Sequence, residues 1–173
     1  MIDDYIEGAR LLNNATIRLQ HKQVYDLMRH AYRLVFVGNG GSMSCCGHMA
    51  HDFLKVGKRK TLAPESASLI TCLANDCKTN MFVEWYKVQQ YTGDLVFIVS
   101  SSGKSENLIN LARYINNCTM HPIVTITGFA ADNPLGQMGN INVHIPTQSF
   151  GVHELMSECF LHSLLDNLVK ETQ

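Results

Sequence analysis

The sequence predicts an α/β fold, a doubly wound three-layer sandwich built around a central parallel sheet of about five strands. Two observations support this prediction. Continuous apolar runs without polar alternation, each closed by glycine or serine, indicate strands that are covered on both faces. Helical stretches separate these runs, and such alternation is typical of doubly wound sheets. A chain of 173 residues can bury a full core as one domain.

Each element follows from its own local pattern. The N-terminal segment predicts two helices, because apolar residues recur there at helical spacing: Ile6, Ala9, Leu12 and Ala15, then Val24, Leu27, Met28 and Ala31. The apolar runs predict strands over Leu34–Val37, Leu95–Val99, Ile123–Ile126 and Ile141–Ile145. The stretches between them predict helices over Met43–Leu54, Met81–Gln90, Ser105–Ile115 and Val152–Lys170. We therefore expect one domain over residues 1–173, with a helical segment at 1–32 and an α/β core at 33–173.

Charge and composition exclude several classes of protein. The formal net charge is −1, so bulk electrostatics argue against a nucleic-acid or membrane-surface partner. No apolar run approaches the roughly 20 residues that span a bilayer. The first ten residues, MIDDYIEGAR, lack the pattern of a signal peptide, and we expect a cytoplasmic protein. The six cysteines include no CxxC pair, which argues against a zinc site made of cysteines.

A glycine-rich turn follows the first predicted strand and opens a helix. It contains Asn39, Gly40, Gly41 and Ser42. Glycine lets the backbone approach a ligand, and the start of a helix offers N–H groups to an anion. The pattern matches neither a dinucleotide-binding fingerprint nor a Walker loop. On its own it indicates either a phosphate site or an ordinary strand-to-helix turn.

A serine-rich loop lies at a second helix start, after another predicted strand. Its hydroxyl groups, on Ser100, Ser101, Ser102 and Ser105, exceed the single one that a helix cap needs. Hydroxyl groups can donate hydrogen bonds to phosphate oxygens without adding charge. We therefore favour phosphate binding at this loop over a plain capped turn.

A third segment, Asn75 and Asp76, ends the apolar run from Leu69 to Ala74. We interpret it as a further loop. Both residue types are common in turns, so the pair is either structural or in contact with sugar hydroxyls.

Two pairs of possible metal ligands lie on predicted helices. His48 and Asp52 are four residues apart and share a helix face. Glu154 and His162 are eight residues apart, slightly over two turns, and also share a face. Imidazole nitrogen and carboxylate oxygen both suit zinc. The four side chains form a metal site if the two helices meet, and are ordinary surface contacts if they do not.

Two neighbouring residues leave alternatives open. His153, beside Glu154, replaces it as a ligand if the helix register shifts. Glu158 lies one turn before His162 and either orients that histidine or is an ordinary exposed residue.

Taken together, these motifs resemble a known family. The chain is similar to the sugar isomerase (SIS) domain in four motifs, which follow one another in this order: GNGGS at the start of a helix, HMAHD on that helix, then ND, then SSSGKS. Over nearly its whole length the chain resembles the phosphoheptose isomerase family in particular. The serine loop is specific to SIS domains, and the histidine helix is more specific to these isomerases. The resemblance implies conversion of sedoheptulose 7-phosphate into D-glycero-D-manno-heptose 7-phosphate with zinc.

The resemblance also implies a role for each motif. Zinc would be bound by His48, Asp52, Glu154 and His162, with Asp52 as the catalytic base and His162 as the catalytic acid. The sugar phosphate would be bound by Asn39, Gly40, Gly41, Ser42, Asn75, Asp76, Ser100, Ser101, Ser102, Ser105 and Glu154. The family forms homotetramers through the N-terminal helices, with active sites at subunit interfaces, and we expect the same here.

The sequence departs from the family at several positions. Asp52 stands where the family has glutamate, and Glu154 where it has glutamine. The segment before Glu154 is shortened and lacks an aspartate, and the family's arginine after the histidine helix is missing. The basic residues there either supply that charge or form a solvated turn: Lys55, Lys58, Arg59 and Lys60. These departures leave two alternatives, an isomerase of a different sugar phosphate and a non-catalytic sugar-phosphate-binding regulator or adaptor. The retained His48 and His162 favour an enzyme.

Overall fold

Five parallel strands form the central sheet of the computed structural model, which describes residues 2–171. Their order across the sheet is β2-β1-β3-β4-β5, and every neighbouring pair is parallel. The strands are β1 (Arg33–Gly38), β2 (Lys60–Leu62), β3 (Asp94–Ser100), β4 (Ile123–Thr127) and β5 (Ile141–His144). The predicted doubly wound α/β fold is confirmed.

Seven α-helices in the described part of the chain cover the sheet. They are α1 (Ile2–Leu11), α2 (Ala15–His30), α3 (Gly40–Lys55), α4 (Ala67–Cys77), α5 (Met81–Gln89), α6 (Glu106–Cys118) and α7 (Phe150–Glu171). The helices α2, α3 and α7 pack on one face of the sheet, and α5 and α6 pack on the other. None of the helices within residues 2–171 combines the length and apolar character needed to cross a membrane.

Strand β1 shows why the apolar runs lack polar alternation. Leu34 and Phe36 belong to the core on one face of the sheet, and Val35 and Val37 belong to the core on the other. All four side chains are fully buried. Because side chains of a strand point alternately to opposite faces, a strand covered by helices on both sides must be apolar at every position.

The register of β1 against β3 is fixed at the end of the sheet opposite the loops of interest. Arg33 pairs with Asp94 in the ladder, and its guanidinium donates two hydrogen bonds of 2.8 Å to that carboxylate. The Asp94 side chain is fully buried and also accepts a hydrogen bond from the Tyr86 hydroxyl. A one-residue slip would leave the buried carboxylate without its cation, which typically costs about 3–5 kcal/mol.

Two elements differ from the sequence-based prediction. Strand β2 is only three residues long at the sheet edge, and no apolar run marks it. The interpretation of Asn75 and Asp76 as a loop is wrong, because both lie inside α4. Leu69, Ile70 and Leu73 of that helix pack on the core at helical spacing, so the short apolar run is one face of a helix.

The topology places the candidate loops side by side. The chain passes from β1 to β2 on one side, and β3 then pairs with β1 on the other. The carboxyl ends of β1 and β3 therefore border the switch point where ligands bind in open α/β sheets. Residues 1, 172 and 173 of the predicted 1–173 domain lie outside the described residues, and its single-domain organisation stays a prediction.

Candidate active site

A cavity of about 250 Å³ lies at the switch point between β1 and β3. It is lined by the glycine turn, the serine loop and the start of α7: Asn39, Gly40, Gly41, Ser42, Ser100, Ser101, Ser102, Ser105, Phe150 and Glu154. The structure thus brings together all the predicted substrate-binding residues except Asn75 and Asp76. Those two are exposed on α4 and do not line this cavity, and their side chains bond to each other, from Asn75 Nδ2 to Asp76 Oδ1.

The glycine turn is shaped by two features that a side chain would prevent. Gly40 has a φ of +53°, in the region that favours glycine. A Cβ on Gly41 would collide with the Glu154 carboxylate, which lies directly over that residue. The start of α3 and the Glu154 side chain of α7 therefore meet across the cavity, and a side chain at Gly41 would displace that carboxylate.

Asn39 connects the two loops. Its carboxamide exchanges two hydrogen bonds of 3.0 Å with the carboxamide of Asn107, one in each direction. Asn107 lies in the first turn of α6, which the serine loop opens. Sequence reasoning did not identify Asn107, and its place two residues after Ser105 was the only available signal.

The serine loop is held by hydrogen bonds to its own backbone. The Ser100 hydroxyl accepts from the Gly103 N–H (3.2 Å), and the Ser102 hydroxyl accepts from the Lys104 N–H (3.3 Å). Gly103 has a φ of +62°, and a side chain there would collide with Asn133. Because these oxygens accept from the backbone, the hydroxyl hydrogens of Ser100 and Ser102 remain to donate to a ligand.

Ser101 has a different partner. Its hydroxyl lies 3.0 Å from Nδ1 of His153 on α7, and both residues are buried. Burial lowers the pKa of His153 to about 4, so the imidazole is neutral at neutral pH. The structure places the His153 imidazole against the serine loop, and His153 is not part of the cluster of His48, Asp52 and His162.

Three of the four predicted metal ligands come together between α3 and α7. His48, Asp52 and His162 each offer a ligand atom, and the three atoms lie within 4.8 Å of one another. His48 Nε2 is 3.3 Å from Asp52 Oδ2, and the His48 and His162 rings are 5.3 Å apart between centroids. Two imidazoles and a carboxylate are a donor set that suits a divalent ion such as zinc. The residues present therefore fit the metal that the resemblance implies.

The fourth predicted ligand, Glu154, is not part of this cluster. Its carboxylate lies over Gly41 in the cavity, and its assignment as a ligand stays a prediction. The carboxylate beside the cluster belongs to Glu158, whose Oε1 is 3.6 Å from His48 Nε2. Glu158 precedes His162 by four residues, so the two side chains share one face of α7.

The basic segment after α3 contributes structural contacts. Arg59 donates hydrogen bonds to the carbonyl groups of Met28 and Ala31 at the end of α2. Lys60 donates to the Tyr32 hydroxyl. Within the described chain these two residues hold β2 against the end of α2, and neither lines the cavity.

The chain is similar to named bacterial isomerases along most of its length. It is 30% identical over 145 residues to the phosphoheptose isomerase of Bradyrhizobium sp. (strain ORS 278), covering 79% of this chain and 68% of that protein. It is 25% identical to the phosphoheptose isomerase of Colwellia psychrerythraea, over 78% of this chain and 72% of the relative. No family model matches the sequence.

Solved structures share the fold. The phosphoheptose isomerase GmhA from Neisseria gonorrhoeae superposes with a TM-score of 0.86 at 18% identity, covering 96% of this chain and 94% of that one. A phosphoheptose isomerase from Francisella tularensis gives 0.85 at 17% identity, covering 98% and 94%. The glycine turn, the serine loop and the histidine helix are arranged around one switch point. Together with the sequence similarity to the Bradyrhizobium enzyme, this shows that the chain belongs to the phosphoheptose isomerase family.

Proposed function

We propose that the chain is a metal-dependent aldose–ketose isomerase of a sugar phosphate, with sedoheptulose 7-phosphate as substrate and D-glycero-D-manno-heptose 7-phosphate as product. The observation that carries this proposal is the position of the His48, Asp52 and His162 cluster. Both helices that supply it also border the serine-lined cavity, α3 at its start and α7 through Glu154. The proposed phosphate site and the proposed metal site thus share two helices.

The spacing along these helices favours a long sugar. Ser42 in the cavity precedes His48 by six residues, about 9 Å along the helix axis. Glu154 precedes His162 by eight residues, about 12 Å. A phosphate held by the serine loop would therefore leave several carbon atoms between itself and the cluster. A heptose phosphate fits this separation better than a triose phosphate does.

The serine loop and the metal cluster act on opposite ends of the proposed substrate. The hydroxyl groups of the serine loop bind the phosphate, and this binding positions the distant carbons. Isomerisation moves a proton between C1 and C2. Asp52 is the proposed base that removes the proton from C1 of the ketose and returns it to C2. His162 is the proposed acid that exchanges protons with the adjoining oxygens. A divalent ion held by the cluster would polarise those oxygens as a Lewis acid.

The proposal is tested by incubating the purified protein with a panel of ketose phosphates, before and after removal of metal with a chelator. We expect turnover of sedoheptulose 7-phosphate that chelation abolishes and zinc restores. Turnover of another member of the panel would keep the reaction and change the sugar. Binding of sugar phosphates without turnover of any would overturn the isomerase and favour a regulator or adaptor.

Loss of a cluster histidine should remove the metal. We expect His48→Ala and His162→Ala to weaken zinc binding by more than the 10–100-fold that loss of an outer-shell partner typically costs, with activity lost in parallel. Isothermal titration of the metal-free protein with zinc measures the affinity. His51→Ala is the matched control, because His51 lies on the same helix but is paired with Glu65, at 3.0 Å. Unchanged zinc affinity in both cluster variants would contradict the site.

The same zinc titration decides which carboxylate of α7 binds the metal together with His48, Asp52 and His162. We propose Glu158, since its carboxylate lies beside His48, whereas Glu154 would have to turn away from Gly41 to reach the ion. Glu158→Ala should therefore weaken zinc binding more than Glu154→Ala does. The reverse order would restore Glu154 as the ligand that the resemblance implies.

We also propose that the chain forms a homotetramer. Ile2, Tyr5 and Ile6 of α1 are exposed apolar side chains, and α4 buries none of its residues in the single chain. A second copy would cover such faces. Light scattering at micromolar concentration should give the mass of four chains of 19.4 kDa. The mass of one chain would contradict this prediction.

A further inference from the structure

His153 joins the serine loop to the helix that carries the metal-binding histidine. It lies in the first turn of α7 and is fully buried. Its Nδ1 is 3.0 Å from the Ser101 hydroxyl at the carboxyl end of β3. Nine residues later the same helix presents His162 to the cluster. One imidazole thus connects the two parts of the candidate active site.

Ser101 is the nearest side-chain partner of the His153 imidazole. Ser157 donates its hydroxyl hydrogen to the His153 carbonyl at 2.7 Å and lies farther from Nδ1, at 3.5 Å. Nε2 is buried and has no hydrogen-bond partner among the described residues. The contact between Ser101 and Nδ1 is possible in either tautomer: the hydroxyl donates to Nδ1 when the ring hydrogen is on Nε2, and accepts from it when the hydrogen is on Nδ1.

This contact separates Ser101 from the other serines of the loop. Its hydroxyl oxygen lies within hydrogen-bond distance of the buried imidazole of His153. The hydroxyls of Ser100 and Ser102 accept from the backbone and keep their hydrogens for a ligand. The Ser101 carbonyl also accepts from the Gly128 N–H at 3.0 Å. Ser101 is thus bonded on both its side chain and its backbone to structure behind the cavity.

We propose that His153 is a positioning residue for anion binding, and that Ser101 anchors the serine loop to α7 instead of contacting the phosphate. The inference rests on the proposed function only in requiring an anion in the cavity. Without the imidazole, the buried Ser101 hydroxyl loses its partner and the loop loses this attachment to α7. Ser100 and Ser102 would then be presented less accurately to the ligand.

Inorganic phosphate is the probe, because its binding depends on the loop and not on turnover. We expect His153→Leu to weaken phosphate affinity by about tenfold, the effect of leaving one buried hydrogen-bonding group without its partner. His153→Asn should keep the affinity near that of the unchanged protein, because the amide places a polar atom near the position of Nδ1. Ser157→Ala is the matched control and should leave phosphate binding unchanged. Thermal unfolding of each variant verifies that it is folded.

A double-mutant cycle separates an anchor from a ligand. Ser101→Ala and His153→Leu should be non-additive, because both remove the same contact. Ser100→Ala should add its effect to that of His153→Leu. Full phosphate affinity in His153→Leu, or additive effects of the Ser101 and His153 variants, would overturn the inference. Absence of phosphate binding in the unchanged protein would instead overturn the proposed function.

Discussion

Asp52→Asn is expected to lower turnover by on the order of 10²–10⁴-fold, the usual contribution of a general base. The amide keeps an oxygen beside His48, where Asp52 Oδ2 now lies at 3.3 Å, but it cannot accept the proton from carbon. Zinc affinity should therefore fall much less than kcat. Steady-state assays with sedoheptulose 7-phosphate and zinc titration of the same preparation measure the two effects.

Two further variants make this result specific. Asp52→Glu restores the residue that the resembling family has at this position, and should retain or raise turnover. Asp26→Asn alters an exposed aspartate on α2 and should change neither quantity. Full activity in Asp52→Asn would show that another group is the base. A loss of zinc equal to the loss of turnover would mean that Asp52 acts only as a ligand.

Acid should destabilise the fold through His153. Burial lowers its pKa to about 4 in the folded chain, from 6.5. Between these values the unfolded chain binds a proton that the folded chain does not, so the stability present above pH 6.5 is lost as the pH falls towards 4. The full shift corresponds to about 3 kcal/mol. His144 on β5 adds to the effect. Its positive charge when protonated repels that of His153 and lowers the pKa of His153 further, and burial lowers the pKa of His144 itself.

Urea unfolding at a series of pH values between 7 and 4.5 measures this dependence. The free energy of unfolding of the unchanged protein should decrease steadily with pH over that range. His153→Asn should show a smaller decrease, since Asn does not titrate, while Ser157→Ala keeps the imidazole and should follow the unchanged protein. Identical pH dependence in the His153 variant would show that the acid sensitivity lies elsewhere.

The long strands and the meeting of the glycine turn with the serine loop were predictable because one physical cause produces each pattern. Burial on both faces makes the interior of β1 and β3 apolar, over Leu34–Val37 and Leu95–Val99, and parallel strands bring the loops that follow them to the same edge. Neither cause acts on β2, which is short and lies at the edge of the sheet. The run from Leu69 to Ala74 is ambiguous by length alone, because six largely apolar residues suit a buried strand or one face of a helix.

The candidate metal cluster was predictable on α3 and only partly on α7. His48 and Asp52 are one turn apart on a single helix, so their spacing determines their contact. The choice between Glu154 and Glu158 depends on how α7 packs against α3, and sequence spacing does not contain that information. The carboxylate of Glu154 is over Gly41 because the absent side chain of that glycine leaves space for it. His153 was visible only as a neighbour of Glu154, since its partner Ser101 is 52 residues away.

The pairing of β1 with β3 also determines when during folding the site can exist. The Arg33 and Asp94 side chains that fix this register are 61 residues apart in the chain, and long-range pairing between parallel strands is intrinsically slow. The glycine turn and the serine loop meet only after this step. Folding intermediates without the β1–β3 pair therefore have no cavity for a phosphate. A bound sugar phosphate should consequently slow unfolding of the protein while leaving its folding rate nearly unchanged.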